Sequence, residues 1–461
     1  MEILAVLISL FGLMFFAYKG VNVLILAPIM ALVATIFDSN NHLMATYTQI
    51  YMPAVGGYLV KYFPLFLLGA IFGQLMGDSG AAQSIGDFIA KKLGPKHAAA
   101  AVVTACGLLT YGGVSLFVVA FGIEPIARHL FKKGDVPRRF IPASIALGSF
   151  TFTMTALPGT PAIQNAIPMP FFGTTAFAAP GLGLIAAIIM AGSGLWWLNA
   201  RIHKAKALGE GYGEVFEGEE KSENSHSGLN VWVAVLPLIL VIVLNYVLSQ
   251  VLIPSWSSEY LANDRFGNIK LKDVLGIWSI IIAIFLSIIV LLITQKKFLK
   301  KPLDSVNKGT MGSLLPIFNT ASEVGYGATI ASLASFAIIK STVLGIFPTY
   351  PLISESISVN LLAGVTGSAS GGLSIALKAL ASQYMAMAEA ANISPELLHR
   401  VATLSCGGLD TLPHNGAVIT LLAICKLNHK KSYFDIFMVA VAFPFLATAT
   451  VVMLGSMLGS F

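Results

Sequence analysis

The sequence predicts an all-α polytopic membrane protein of two inverted repeats, each with about five transmembrane helices and one re-entrant hairpin. Three observations predict it. The 461-residue chain is 56% hydrophobic and 11% charged, with a mean hydropathy of +0.80, whereas soluble domains carry about 25% charged residues. Two leucine-proline breaks, Leu157-Pro158 and Leu412-Pro413, interrupt apolar segments at matching places in the two halves. Each break follows another apolar stretch folded around a glycine-rich tip, Thr110 to Ser115 in the first half and Thr366 to Gly372 in the second.

In hydrocarbon an unpaired backbone amide or carbonyl costs several kcal/mol, so non-helical chain persists at membrane depth only where it is buried or lines a cavity. Paired interruptions in two halves point to a binding site at the repeat interface, and so to a transporter. The expected organisation is a first repeat over residues 1–200, a cytoplasmic linker over 201–228 and a second repeat over 229–461.

About 20 apolar residues cross a bilayer, and the excess of Lys and Arg marks the cytoplasmic side. Ile3–Ala17 is expected to cross inward, Val21–Phe37 outward and Tyr58–Gly77 inward. Met1-Glu2 precedes the first span with no positive n-region and no small-residue cleavage site, so that span is expected to be retained. Ala81–Leu93 places Ile85, Phe88 and Ile89 on one face and Asp87, Lys91 and Lys92 on another, as an amphipathic surface helix does. Ala98–Phe131 has basic ends and a glycine-rich middle, which favours a re-entrant hairpin (98–131) over one long helix. Ile141–Phe172 then crosses outward through the first break and Leu182–Ala200 returns. The hydrophilic stretch Arg201–Gly228, rich in Gly, Glu, Lys and Ser, is expected to lack a fixed fold.

The second half repeats the plan upside down. Val231–Leu252 crosses outward, Val274–Ile293 inward and Leu314–Leu344 outward; Asn360–Ala391 is a hairpin (360–391) entered from outside; Leu397–Cys425 goes inward through the second break, and Tyr433–Leu458 goes outward. With this path 21 of the 28 Lys and Arg lie on the cytoplasmic side, and only if both hairpins are re-entrant. Five crossings per half, an odd number, make the repeats inverted.

Small and hydroxylated residues accumulate at the four interruptions: Tyr111, Gly112, Gly113 and Ser115; Thr160, Gln164 and Asn165; Thr366, Gly367, Ser368 and Ser370; Thr411 and Asn415. Glycines let backbone amides approach a carboxylate, and helix N-termini after each tip present a positive dipole end to it. Small residues also let membrane helices pack closely, and any one tip is open to that reading. Asp410 and His414 flank the second break four residues apart. A carboxylate beside a histidine favours its protonated form, so the pair is a candidate for taking up a coupling proton. Capping of a broken helix end, or a sodium site of Asp410 with unwound carbonyls, is the competing reading. Glu124, Glu323 and Lys378 are further intramembrane charges; Lys378 is expected to snorkel or to pair with an acidic group.

Other classes find little support. There is no Walker A sequence, no HExxH, no GxSxG and no CxxC, so ATP hydrolysis and intramembrane enzyme chemistry lack their residues. Cys106, Cys406 and Cys425 lie apart in apolar segments and imply neither disulfides nor a metal site, and no cofactor is expected. The net charge of +6 is explained by lysines gathered on one membrane face rather than by a nucleic acid partner. A passive anion channel is the alternative outside the carriers, and upside-down symmetry within one chain argues against it.

Tyr111-Gly112-Gly113, Leu157-Pro158-Gly159-Thr160-Pro161-Ala162 and the run Cys406 to Ala417 resemble the gluconate permease (GntP) family within the ion-transporter superfamily, over essentially the whole chain. That resemblance implies a secondary carrier taking up small hydroxy-carboxylates with protons, elevator motion, a homodimer and a multi-pass location in the cell (inner) membrane. The sugar-acid branch carries His-Pro-Gly-Pro in the first break, where this chain has Gly159-Thr160-Pro161. Losing that histidine, with Ala156, Ala162 and Ile163 nearby, removes polar contacts that a polyhydroxylated acid requires. The resemblance therefore implies proton symport of a short hydroxy-monocarboxylate such as 3-hydroxybutyrate, with gluconate or sodium coupling as alternatives.

Overall fold

A computed structural model describes residues 2–19, 21–36, 38, 42–114, 116–213, 228–335, 347, 349–413 and 415–461. Among these residues the chain is helical and has no strand, as expected where lipid leaves backbone groups no partner outside their own segment. In the first half α1 spans Glu2–Tyr18, α2 Val23–Thr35, α3 Leu43–Asp78 and α4 Ala81–Leu93. Helices α5 (Ala98–Tyr111) and α6 (Leu116–Lys133) form a helix-turn-helix pair. The first break then splits its segment into four short helices: α7 (Ile141–Ser149), α8 (Phe152–Thr155), α9 (Ile163–Ala166) and α10 (Met169–Phe172). Helix α11 (Pro180–Ala207) closes this half.

The second half begins with α12 (Val231–Ser255), α13 (Leu271–Thr294) and α14 (Pro302–Ser332). Helices α15 (Pro351–Thr366) and α16 (Ala369–Ala390) pack as a second hairpin. The second break separates α17 (Pro395–Cys406) from α18 (Gly416–Ile424), and α19 (His429–Leu458) ends the chain. Among the described residues, α3, α11, α12, α13 and α19 are long and apolar enough to cross a membrane. Their outward faces are greasy: Ile188, Trp196, Ile239, Phe285, Ile293 and Met457 are all exposed, as suits a surface solvated by lipid.

Both hairpin tips depend on glycine. Gly113 (φ 98°) and Gly367 (φ 63°) turn the chain through the left-handed region that side chains avoid. At Gly372 an added Cβ would stand 2.2 Å from the Ala363 nitrogen, so the two arms of the second hairpin meet backbone to backbone.

The apolar interior divides into two large clusters. One contains the first hairpin, α7, α18 and the second half of α3; the other contains the second hairpin, α17, α1, α2 and the first half of α3. Helices α3, α11 and α13 pass from one cluster to the other, so the hairpins sit at opposite ends of the long helices.

Several boundaries differ from expectation. Helix α14 begins at Pro302, twelve residues before the expected Leu314, and α15 begins at Pro351, nine before Asn360. In each case proline sits in the first turn, where its missing N–H costs nothing. The stretch expected to be an unfolded linker starts as the end of α11, and its next residues are docked. Arg139 pairs with Glu210 (2.6 Å), Lys206 Nζ donates to the Gly134 carbonyl (2.6 Å) and the Tyr212 amide donates to Asp135 (3.0 Å). The guanidinium of Arg139 holds the Glu210 carboxyl below the usual carboxylate range. Residues 214–227 and the end of the span expected to reach Leu344 lie outside the described residues.

Candidate functional site

Where the two hairpin tips meet the two breaks, the helices enclose a cavity of about 650 Å³. The first tip contributes Thr110, Gly113 and Val114, and the second contributes Thr366 to Ser370. The breaks supply Pro161 to Gln164 on one side and Asp410, Thr411, Asn415 and Gly416 on the other. Leu65, Phe66, Ile163 and Ile284 form an apolar wall.

The second tip and second break are tied together. Asn415 Nδ2 donates to the Gly367 carbonyl at 2.7 Å, while its Oδ1 accepts the Val418 amide at 2.9 Å and caps α18. Ser368 Oγ caps α16 by accepting the Gly371 amide at 3.1 Å. Two helices thus start at the cavity, with the unpaired amides and positive dipole ends of their first turns beside it. The first tip leans on the first break: Tyr111 Oη donates to the Pro158 carbonyl at 2.8 Å, and a Cβ on Gly113 would lie 2.9 Å from Pro161 Cγ.

The remaining wall is α14, which the sequence reading left out apart from its undecided Glu323. Gly312, Ser313, Pro316, Asn319, Thr320 and Glu323 all line the cavity. Their spacing of three and four residues is one face of a helix. Pro316 lacks an N–H, so the Gly312 carbonyl loses its intrahelical donor on that face. A polar stripe at helical period around an internal proline is the signal that identifies this helix in the sequence. Glu323 also explains a glycine: a Cβ on Gly371 would stand 1.8 Å from Glu323 Oε2, so the carboxylate lies against the first turn of α16.

Four buried polar atoms on this lining have no hydrogen-bond partner among the described residues: Thr110 Oγ1, Asn319 Oδ1, Glu323 Oε2 and Asp410 Oδ1. Native proteins pair nearly all such groups, and the residues that carry these orphans all line one cavity, which makes it the candidate ligand site. The described lining contains two carboxylates and no Lys, Arg or His.

Of the residues singled out in the sequence, Gly113, Gln164, Thr366, Gly367, Ser368, Ser370, Asp410, Thr411 and Asn415 line the cavity. Ser115 and His414 lie outside the described residues. Tyr111, Gly112, Thr160 and Asn165 do not line it. Tyr111 props the first break, and Gly112 packs against Leu238. Asn165 Nδ2 donates to the carbonyls of Thr160 and Ala176, and its Oδ1 meets His399 Nε2 at 3.1 Å, so both N–H donors of this buried amide are committed within the protein. Thr160 is fully buried behind it. Glu124 pairs with Arg128 at 2.8 Å, and Lys378 is exposed away from the cavity.

Arg400 carries a role at the first break that the sequence does not announce. It is fully buried and donates to the carbonyls of Ala178 (2.6 Å), Ala156 (3.1 Å) and Thr155 (3.4 Å). Those of Thr155 and Ala156 are freed where α8 ends, so this arginine substitutes for the missing helix at the first break.

A model of the GntP family permeases matches residues 1–322. The chain belongs to the GntP permease family. An uncharacterized transporter of Bacillus subtilis (strain 168), YxjC, is 42% identical over 452 residues, covering 95% of both chains. The crystal structure of the Alcanivorax borkumensis YdaH transporter, described as having an unusual topology, shares the fold with a TM-score of 0.55. It is 14% identical and the match covers 92% of this chain and 88% of that one. This GntP-family chain is accordingly a multi-pass membrane protein and a secondary transporter.

Proposed function

We propose that this GntP-family chain takes up a small hydroxy-monocarboxylate, with 3-hydroxybutyrate the best fit, together with protons across the cytoplasmic (inner) membrane. One observation carries the reading: the cavity joins the positive ends of α16 and α18 to two carboxylates, Asp410 and Glu323, each with one buried oxygen that has no hydrogen-bond partner among the described residues, and no basic side chain stands in its described lining. An anion drawn to those helix ends meets two like charges unless cations neutralise them. Binding the acid with its protons makes a near-neutral ensemble, which lowers the cost of carrying charge through the membrane.

In this reading Ser368, Ser370, Gln164 and Asn415 hold the carboxylate and hydroxyl, and the apolar wall of Leu65, Phe66 and Ile163 takes the short carbon chain. The poverty of polar groups on that wall disfavours gluconate, whose hydroxyls would be left unpaired. Coupling falls to Asp410 and Glu323, with His414 four residues beyond Asp410. The same reading makes residues 1–200 and 229–461 inverted repeats that move the cavity by an elevator motion within a homodimer. Opposed hairpins in separate core clusters support that arrangement.

The test is uptake of radiolabelled 3-hydroxybutyrate and gluconate into proteoliposomes under an inward proton gradient, with and without sodium. Proton-driven accumulation of 3-hydroxybutyrate over gluconate is expected. Sodium dependence would replace the coupling ion, and dissipation of a preset substrate gradient without accumulation would replace the carrier by a channel.

A further inference from the structure

The second hairpin buries a carboxyl group that the cavity does not use. Glu355 on α15 is 0% exposed, and neither Oε1 nor Oε2 has a hydrogen-bond partner among the described residues. It stands in a run of polar side chains on an otherwise apolar arm: Ser354, Glu355, Ser356, Ser358 and Asn360. Ser354, Ser358 and Asn360 are buried too. Tyr384 Oη of α16 donates to Ser358 Oγ at 2.7 Å, one turn along the same face from Glu355, and Ser358 Oγ donates to the Ser354 carbonyl at 2.8 Å. Ser354 Oγ and Asn360 Oδ1 are further orphans.

Among the described residues the neighbouring helices bring no counter-charge. Helix α15 packs against α16, α17, α1 and α19. From α16 the titratable group in electrostatic reach is Tyr384, while Lys378 and Glu389 are exposed. From α17, His399 and Arg400 are committed to Thr174, Asn165 and backbone carbonyls, the Cys406 thiol donates to the Thr403 carbonyl and Glu396 is exposed. Helix α1 carries no Lys or Arg, and on α19 Asp435 pairs with Arg139 and Arg201 while Lys430 and Lys431 are exposed. A bare carboxylate there, buried and unpaired, costs several kcal/mol, so the group is stable only with a cation on it, and a proton needs no further ligands. An uncharged side chain fills the same space at no such cost; a titratable one adds only the capacity to exchange a proton.

We propose that Glu355, framed by Ser354, Ser358 and Tyr384, is a second proton-binding site in the second hairpin, separate from the cavity. Polar contacts lead from it toward Asp410. Asn360 Nδ2 donates to the Ser356 carbonyl at 3.0 Å, Ser405 Oγ donates to Ser356 Oγ at 2.9 Å, and Asn360 Oδ1 lies against Gly408, two residues before Asp410. As a step in the transport cycle the site rests on the proton coupling proposed above; as a proton site it stands alone.

Two readouts separate those claims. In full-length protein in liposomes, infrared difference spectra in H₂O and D₂O should show a protonated-carboxyl band at neutral pH. Glu355→Gln should remove it and Tyr384→Phe, which leaves the carboxyl in place, should shift it. A band that neither variant changes, or no such band, overturns the site; if Glu355→Gln does not fold, the Tyr384→Phe shift decides. With the membrane voltage clamped at zero, losing one carried proton should lower the limiting 3-hydroxybutyrate accumulation ratio about tenfold per pH unit of gradient, and Glu355→Asp should restore it. Equal ratios in the wild type and Glu355→Gln remove Glu355 from the cycle. Absence of proton-driven accumulation in the wild type would refute the proposed coupling and leave the infrared result to judge the site.

Discussion

Replacing Gly371 by alanine tests the placement of Glu323 directly. The new Cβ would lie 1.8 Å from Glu323 Oε2 and 3.0 Å from Ser368 Oγ, whereas ordinary contact begins at 3.4 Å, so the carboxylate must retreat by about 1.6 Å. Moving it off its rotamer costs about 0.5–1.5 kcal/mol, and leaving the first turn of α16 costs about 0.3–1 kcal/mol. Alanine returns up to about 1 kcal/mol of helix propensity. The net loss is therefore no more than about 2.5 kcal/mol and the protein folds. Transport should respond far more, because a positioned group displaced by about 1 Å loses on the order of 10²-fold in rate. We expect a small fall in Tm by tryptophan fluorescence with at least a tenfold loss of proton-driven uptake in liposomes. In a Glu323→Ala background the clash is gone, so Gly371→Ala should no longer lower Tm, a coupling that a double-mutant cycle reads out. Gly57→Ala, with nothing within 4 Å, is the neutral control. Unchanged uptake in Gly371→Ala would refute the placement of Glu323 against α16.

Arg400→Met leaves the carbonyls of Ala178, Ala156 and Thr155 without donors, at about 1–3 kcal/mol each; detergent-solubilised protein should lose well over 10 °C in Tm or fail to assemble, and a stable, active variant would contradict its role at the break. Asn415→Ala removes both the cap of α18 and the bond to Gly367, a loss of about 0.5–2 kcal/mol for the cap alone; limited proteolysis should then cut near the second tip, and an unchanged pattern would count against the link between tip and break. Glu210 has its carboxyl lowered by Arg139, so its contribution is complete above the usual carboxylate range and lost as pH falls through the lowered value. Wild type should lose a stabilising increment on acidification that Glu210→Gln never had, as measured by Tm against pH.

The breaks and tips were legible because their causes are local. Leu157-Pro158 and Leu412-Pro413 end helices through proline chemistry, and Gly113 and Gly367 sit where only a turn needs glycine. Glu323 was visible as an intramembrane charge, but its register against Gly371 is set by how α14 packs on the second hairpin, which no local pattern contains. Thr160 and Asn165 show the converse: their types suit a ligand, yet His399, 234 residues from Asn165, claims the amide. The role of Arg400 is not legible because its partners are backbone carbonyls, which leave no trace in sequence.

Cation coupling through the cavity carboxylates is the central claim, and Asp410→Asn tests it most directly. In liposomes with an inward proton gradient and voltage clamped at zero, the wild type should accumulate 3-hydroxybutyrate above its external concentration. Folded Asp410→Asn protein, short of one carried proton, should reach a limiting ratio about tenfold lower per pH unit of gradient. Undiminished accumulation in that variant would contradict the account.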